Sequence, residues 1–143
     1  MKKKIAWAVV FIVICISLFG NPVVKYNNHR LKKAVTALEA GQPVTLNEVV
    51  PFGWDTAYTF SPYTSEQEIE EIIGFKSRSI VANNINEGMV HLIFVKGEKV
   101  QAAVLGYADA LGYYIDFFPK VEYGENAQFT VTKSREFIHL IKE

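Results

Sequence analysis

The aromatic segment at residues 52–63 constrains the fold of this chain more than any other stretch. Trp54, Tyr58 and Phe60 recur at the two-residue period of a β-strand. Pro62 ends the pattern, because proline has no amide hydrogen to donate to a sheet. The spacing predicts that this segment forms the first strand of a sheet, with its large aromatic side chains on one face.

Capping residues and apolar spacing predict helices elsewhere. They are a helix from Asn27 or Asn28 to about Ala40, one turn after Thr45, a helix from Ser65 to Gly74, and a final helix after Ser134. Apolar runs between turn residues predict further strands at residues 89–95, 100–107, 113–118 and 127–132.

Short links join these predicted strands, and this favours an antiparallel meander. We therefore expect an α+β domain with a sheet of about five strands and with helices packed on one face. Residues 76–88, which include Asn83 and Asn84, are interpreted as a connection rich in turn residues rather than as a calcium loop, because acidic ligands at alternating positions are missing.

The amino terminus has the pattern of a targeting segment. Lys2, Lys3 and Lys4 precede an apolar run at residues 5–19. This predicts a signal-anchor or signal peptide at residues 1–22, followed by a single extracytoplasmic domain at residues 23–143. As an anchor, the run at residues 5–19 would be a transmembrane helix that holds the chain in the cell membrane, single-pass with the carboxyl-terminal domain outside. The alternative is secretion after cleavage of the signal.

Charge and cysteine content exclude several classes of function. From residue 21 onward acidic residues outnumber basic ones by three, so the sequence has no electrostatic signature of a nucleic-acid partner. The single cysteine, Cys15, lies within the apolar run, so no disulfide is expected. His29, His91 and His139 lack the spacing of a metal site, and we predict neither a metal nor a cofactor. His91 is expected on the polar or partly covered face of its strand.

The candidate binding residues come from two aromatic strands. They are Trp54, Asp55, Tyr58, Tyr63, Tyr114 and Asp116. Aspartate is unfavourable in strands, so Asp55 and Asp116 need a reason for their positions. Asp55 could accept a hydrogen bond from a neighbouring backbone group, pair with Arg78 or Arg135, or contact a ligand, and Asp116 raises the same question in a later strand. If the two carboxylates lay side by side, like-charge coupling would raise one pKa and permit acid–base catalysis. The sequence contains no nucleophile elbow and no phosphate loop, and we name no catalytic residue.

One local pattern resembles a family of small secreted or membrane-anchored bacterial proteins. The pattern is Trp-Asp-x-x-Tyr-x-Phe-x-Pro-Tyr-Thr, here residues 54–64, followed by a short acidic helix. The resemblance covers about residues 45–118 and implies no activity. The leading hypothesis is therefore a non-enzymatic extracytoplasmic binding domain, tethered to the bacterial cell membrane, that recognises a protein or envelope component, as immunity or inhibitor proteins do. The alternative is an envelope hydrolase that uses Asp55 and Asp116.

Overall fold

The computed structural model describes residues 1–82 and 85–143, without the side chains of residues 16–19. Asn83 and Asn84 of the predicted connection lie outside the described residues. The helices are α1 (Lys2–Phe19), α2 (Pro22–Thr36), α3 (Leu46–Val49), α4 (Glu66–Ile73) and α5 (Ala108–Leu111), with a 3-10 turn at Tyr123–Glu125. The strands are β1 (Pro43–Thr45), β2 (Thr56–Thr59), β3 (Met89–Lys96), β4 (Lys99–Tyr107), β5 (Tyr113–Ile115), β6 (Val121–Glu122), β7 (Gln128–Lys133) and β8 (Ile138–Lys142).

The strands form two four-stranded sheets rather than one meander. The first sheet has the order β1-β7-β8-β5, and the second has the order β4-β3-β2-β6. All pairs are antiparallel except β5 with β8, which run parallel. The α+β class is confirmed and the single meander is wrong, because strands that are distant in sequence pair with each other. Among the described residues, three pairs join consecutive strands, β2–β3, β3–β4 and β7–β8, whereas β1–β7, β2–β6 and β5–β8 join strands further apart in the chain.

Strand β3 is buried on both faces because it lies between two hydrophobic clusters. Leu92 and Phe94 point into a cluster that contains residues of both sheets, which we call the inter-sheet core. Ile93 and Val95 point the opposite way and pack with Ile69 of α4 in the helix-side core. A strand that is covered on both faces has a continuous apolar sequence, and residues 92–95 have that pattern.

The predicted aromatic face of the first strand is divided between the two cores. Trp54 packs in the inter-sheet core, whereas Tyr58 and Phe60 pack in the helix-side core. The regular strand begins only at Thr56, after a bend at Asp55. This bend interrupts the two-residue period, so Trp54 does not share a face with the later aromatic residues.

The final helix predicted after Ser134 is instead strand β8. The Ser134 hydroxyl accepts hydrogen bonds from the amides of Glu136 and Phe137, and it therefore closes a turn. Ile138 and Leu140 then alternate into the inter-sheet core beside β7. The apolar spacing of this segment fits a helix or a strand, and pairing with β7 selects the strand.

Helix α2 begins earlier than the sequence predicts. Asn21 caps it by accepting a hydrogen bond from the Val23 amide at 3.0 Å, and Pro22 stands in the first turn, where proline is favoured. Asn27 and Asn28, the predicted caps, instead lie inside the helix and contact β4. The helix begins before the predicted position because Asn21 caps it instead of Asn27 or Asn28.

The predicted membrane anchor is wrong. In the part of the chain that the structure describes, no helix is long and apolar enough to cross a membrane. Three lysines occupy the start of the 18-residue helix α1, and the apolar remainder extends roughly 23 Å at 1.5 Å per residue, less than the ~30 Å hydrocarbon core. This finding contradicts the transmembrane helix at residues 5–19 and the single-pass location in the cell membrane. Cleavage of a signal peptide stays a prediction.

Candidate functional site

Two of the predicted binding residues belong to the protein core. Trp54 is 4% exposed, and its ring makes edge contacts with Phe94 at 5.5 Å and with Tyr123 at 5.2 Å. Tyr58 is 8% exposed and stacks on Phe60 at 6.1 Å. The packing of these rings accounts for their presence in the aromatic segment.

Asp55 and Tyr63 lie on the surface. The Gly97 amide donates a hydrogen bond of 2.7 Å to the Asp55 carboxylate, so Asp55 ties its own bend to the β3–β4 turn. Tyr63 is two-thirds exposed, and its φ of 69° places it in the left-handed region, in the turn before α4. Asp55 has a structural partner, whereas the Tyr63 ring extends from the surface.

Tyr114 and Asp116 lie together because β5 runs parallel to β8. The register places Tyr114 opposite His139. The His139 ring contacts Tyr114 edge-on at 5.0 Å, and its Nε2 lies 2.6 Å from the Asp116 carboxylate. The Lys142 amide donates a second hydrogen bond to Asp116 at 3.2 Å. His139 is the partner that sequence reasoning missed, since only the pairing of β5 with β8 brings it near.

The two aspartates of the alternative hydrolase hypothesis thus have separate partners in separate sheets. Asp55 precedes β2 of the second sheet, while Asp116 follows β5 of the first sheet. Among the described residues, no group of three histidine, cysteine, aspartate or glutamate side chains could hold a metal ion. The arrangement gives each carboxylate a hydrogen-bonding role within the fold.

A cavity of about 220 Å³ opens where the two sheets meet. The end of β2, the start of β3 and strand β5 form its walls, with the loop after β5 at its mouth. The residues that line it include Phe60, Pro62, Met89, His91, Tyr114 and Phe117. Phe117 is 57% exposed, so an aromatic ring stands at the opening.

The backbone beside this cavity is held by a reciprocal pair of hydrogen bonds. Thr59 is buried, and its hydroxyl accepts from the Phe118 amide at 2.8 Å and donates to the Phe118 carbonyl. The Thr59 amide donates to the same carbonyl at 3.2 Å. These bonds join the end of β2 to the segment after β5, and they fix the junction between the sheets.

His91, one of several polar residues that line the cavity, is more buried than the sequence predicts. It is 2% exposed rather than on a polar or partly covered face, and its ring lies 5.3 Å from Phe60. Within residues 1–82 and 85–143, neither ring nitrogen has a partner with hydrogen-bond geometry. Burial lowers the pKa of His91, and the Val81 carbonyl partly opposes this effect without reaching hydrogen-bond geometry. The sequence feature that could have indicated this burial is the position of His91 within an otherwise apolar strand.

A larger depression of about 850 Å³ runs along α4 but lacks a comparable group. Its lining residues Glu66, Gln67 and Glu71 are exposed to solvent. Of these, Glu66 lies in the first turn of α4, where the helix dipole stabilises a carboxylate. The cavity at the sheet junction is therefore a better candidate site than this depression.

Comparison with known proteins does not extend this description. No family model, no curated protein sequence and no solved structure matches the chain.

Proposed function

We propose that this chain is a non-enzymatic binding domain that recognises a protein partner at the cavity between its two sheets. The observation that carries the proposal is the combination of an exposed aromatic ring at Phe117 with a cavity whose buried wall includes the rings of Phe60 and His91. Aromatic residues around a fully desolvated centre are typical of the residues that dominate binding energy in protein interfaces.

The roles of the two aspartates support binding over hydrolysis. Asp55 accepts a hydrogen bond from Gly97, and Asp116 binds His139 and the Lys142 amide. Acid–base catalysis by a carboxylate pair requires both groups within reach of one substrate. The separate partners of Asp55 and Asp116 favour a structural role for each of them.

Photo-cross-linking in cells that naturally contain the protein tests the proposal. A benzophenone amino acid would replace Phe117 at the cavity mouth. A matched control would replace Tyr26, an exposed aromatic residue on α2. We expect a discrete protein adduct from position 117 that is absent from position 26, and that is lost when Tyr114→Ala removes part of the wall. Identical adduct patterns from both positions, or no protein adduct from position 117 in the folded protein, would contradict the proposal.

A further inference from the structure

A second cavity lies beside helix α2, apart from the cavity at the sheet junction. Strand β4, helix α5, Val81 and Tyr113 complete its wall, and the two cavities share none of their described lining residues. Its volume of about 310 Å³ reaches the ~300–1,000 Å³ range of small-molecule pockets. Benzene fits a dry apolar cavity of ~150 Å³. The space beside α2 is therefore large enough for one ring with a short chain.

Most of this wall is apolar. Val104 and Leu105 of β4 line it, together with Leu111 of α5. The Asn28 side chain also lines the cavity, but its donor and its acceptor are both bonded to the Ala103 backbone. An apolar ligand body is favoured here, because it removes the apolar surface of these side chains from water.

Tyr113 brings to this cavity a hydroxyl group that the fold does not use. The residue is 2% exposed, and its hydroxyl makes no hydrogen bond to a described residue. Unlike the ring nitrogens of His91, the hydroxyl oxygen is not sealed from solvent. Burial raises the pKa of Tyr113, so the group stays protonated and can donate at neutral pH. Buried tyrosine hydroxyls usually have a partner, and a ligand oxygen would supply one.

The charged groups at the cavity are basic. Lys32 Nζ donates to the Ala110 carbonyl at 3.0 Å, which holds the ammonium group in place and leaves two of its three donors for a ligand. His29, which is exposed, lines the same cavity. None of the described lining residues is an aspartate or glutamate, and Lys32 forms no ion pair with a described carboxylate. An acceptor with a negative charge therefore complements this site.

We infer that this cavity binds a small amphipathic carboxylate, with its apolar ring or short chain against β4 and α5 and its carboxylate held by Lys32 and the Tyr113 hydroxyl. One ammonium group balances one negative charge, and this favours a carboxylate over a phosphate that carries nearly two. The inference does not depend on the proposed protein-binding function, because its residues line a different cavity.

Nuclear magnetic resonance titration of the full chain at pH 7 with three probes tests the inference. 3-Phenylpropanoate and 3-phenylpropanamide share a ring and a chain but differ in charge, while acetate has the charge without the ring. We expect saturable shifts of the Leu105 and Leu111 amide signals, with the carboxylate binding at least about tenfold more tightly than the amide, which corresponds to ~1.4 kcal/mol. Acetate should produce no saturable shift at the same concentrations. Equal affinity for the first two probes, or no saturable shift with 3-phenylpropanoate, would overturn the inference.

Three variants locate the carboxylate. Lys32→Gln should bind the acid and the amide with nearly equal affinity, whereas Lys33→Gln, a change at an exposed lysine of α2 outside the cavity wall, should keep the preference. Tyr113→Phe should bind 3-phenylpropanoate more weakly than the wild-type protein does. Without ligand it should be no less stable in thermal unfolding, because its hydroxyl has no described partner. Wild-type affinity in Tyr113→Phe, or the same loss of preference in Lys32→Gln and Lys33→Gln, would contradict this assignment.

Discussion

At the scale of single residues, burial makes protonation of His91 less favourable in the folded protein. The folded state holds the pKa of His91 below its ordinary value because the ring is desolvated. Below pH ~6.5 the unfolded chain therefore binds more protons at this residue than the folded protein does. We expect the free energy of unfolding to fall as the pH decreases through this range, by less than the ~1.4 kcal/mol per pH unit that one proton sets as the limit.

Urea denaturation at a series of pH values measures this dependence. His91→Phe should remove its share of the slope, because phenylalanine binds no proton in either state. A slope that is the same in the wild-type protein and His91→Phe would assign the pH dependence to other groups.

Asp55, which directly precedes β2, stabilises the β3–β4 turn through a hydrogen bond. Its carboxylate accepts the Gly97 amide of the β3–β4 turn at 2.7 Å. Asp55→Ala should lower the free energy of unfolding by about 1 kcal/mol, and Asp55→Asn, which keeps an acceptor oxygen, should lower it less. Chemical denaturation checks both values. Equal losses from the two variants would show that the negative charge, and not the acceptor, stabilises the turn.

At the scale of elements, helix α2 protects the open edge of the second sheet. The Asn28 side-chain amide donates to the Ala103 carbonyl at 2.7 Å, and its oxygen accepts from the Ala103 amide at 3.0 Å. Asn27 donates to the Gln101 carbonyl at 2.9 Å. Two asparagines thus bind edge strand β4 as a neighbouring strand would, and this keeps the edge from pairing with another chain.

Asn28→Ala should therefore destabilise the protein by about 1–3 kcal/mol, because two hydrogen bonds to the backbone are lost. Hydrogen exchange at the Ala103 amide should accelerate. Lys33→Ala, a change at an exposed position of the same helix, serves as the control because lysine and alanine have similar helix propensities. Unchanged exchange at Ala103 would show that α2 does not protect this edge.

The helix caps show which structural features can be predicted from the sequence. The helix starts predicted at Thr45 and Ser65 are confirmed, since each is a capping box that joins residues only three positions apart. The cap predicted at Asn27 or Asn28 is wrong, because these side chains bind a strand about 75 positions away. A local pattern cannot reveal a partner that only the folded chain brings close.

At the scale of the whole molecule, Thr59 connects the two sheets. Its hydroxyl exchanges hydrogen bonds with the amide and carbonyl of Phe118 in a buried environment. Thr59→Val keeps the shape of the side chain but leaves the Phe118 amide without its acceptor. We expect a loss of about 1–3 kcal/mol in the free energy of unfolding, and near wild-type stability for Thr59→Ser. Equal stability of Thr59→Val and Thr59→Ser in urea would exclude this role.

The sequence by itself determined the α+β class, the β3–β4 hairpin and the capped helix α4, because these depend on periodicity and on contacts between close neighbours. It also identified Tyr114 and Asp116 as candidate binding residues. Only the tertiary structure decided that the strands form two sheets, that β5 pairs with β8, and that His91 lines a cavity between them. Strand pairing is decided by burial and backbone hydrogen bonding between segments far apart in the chain, and a one-dimensional pattern does not contain that geometry.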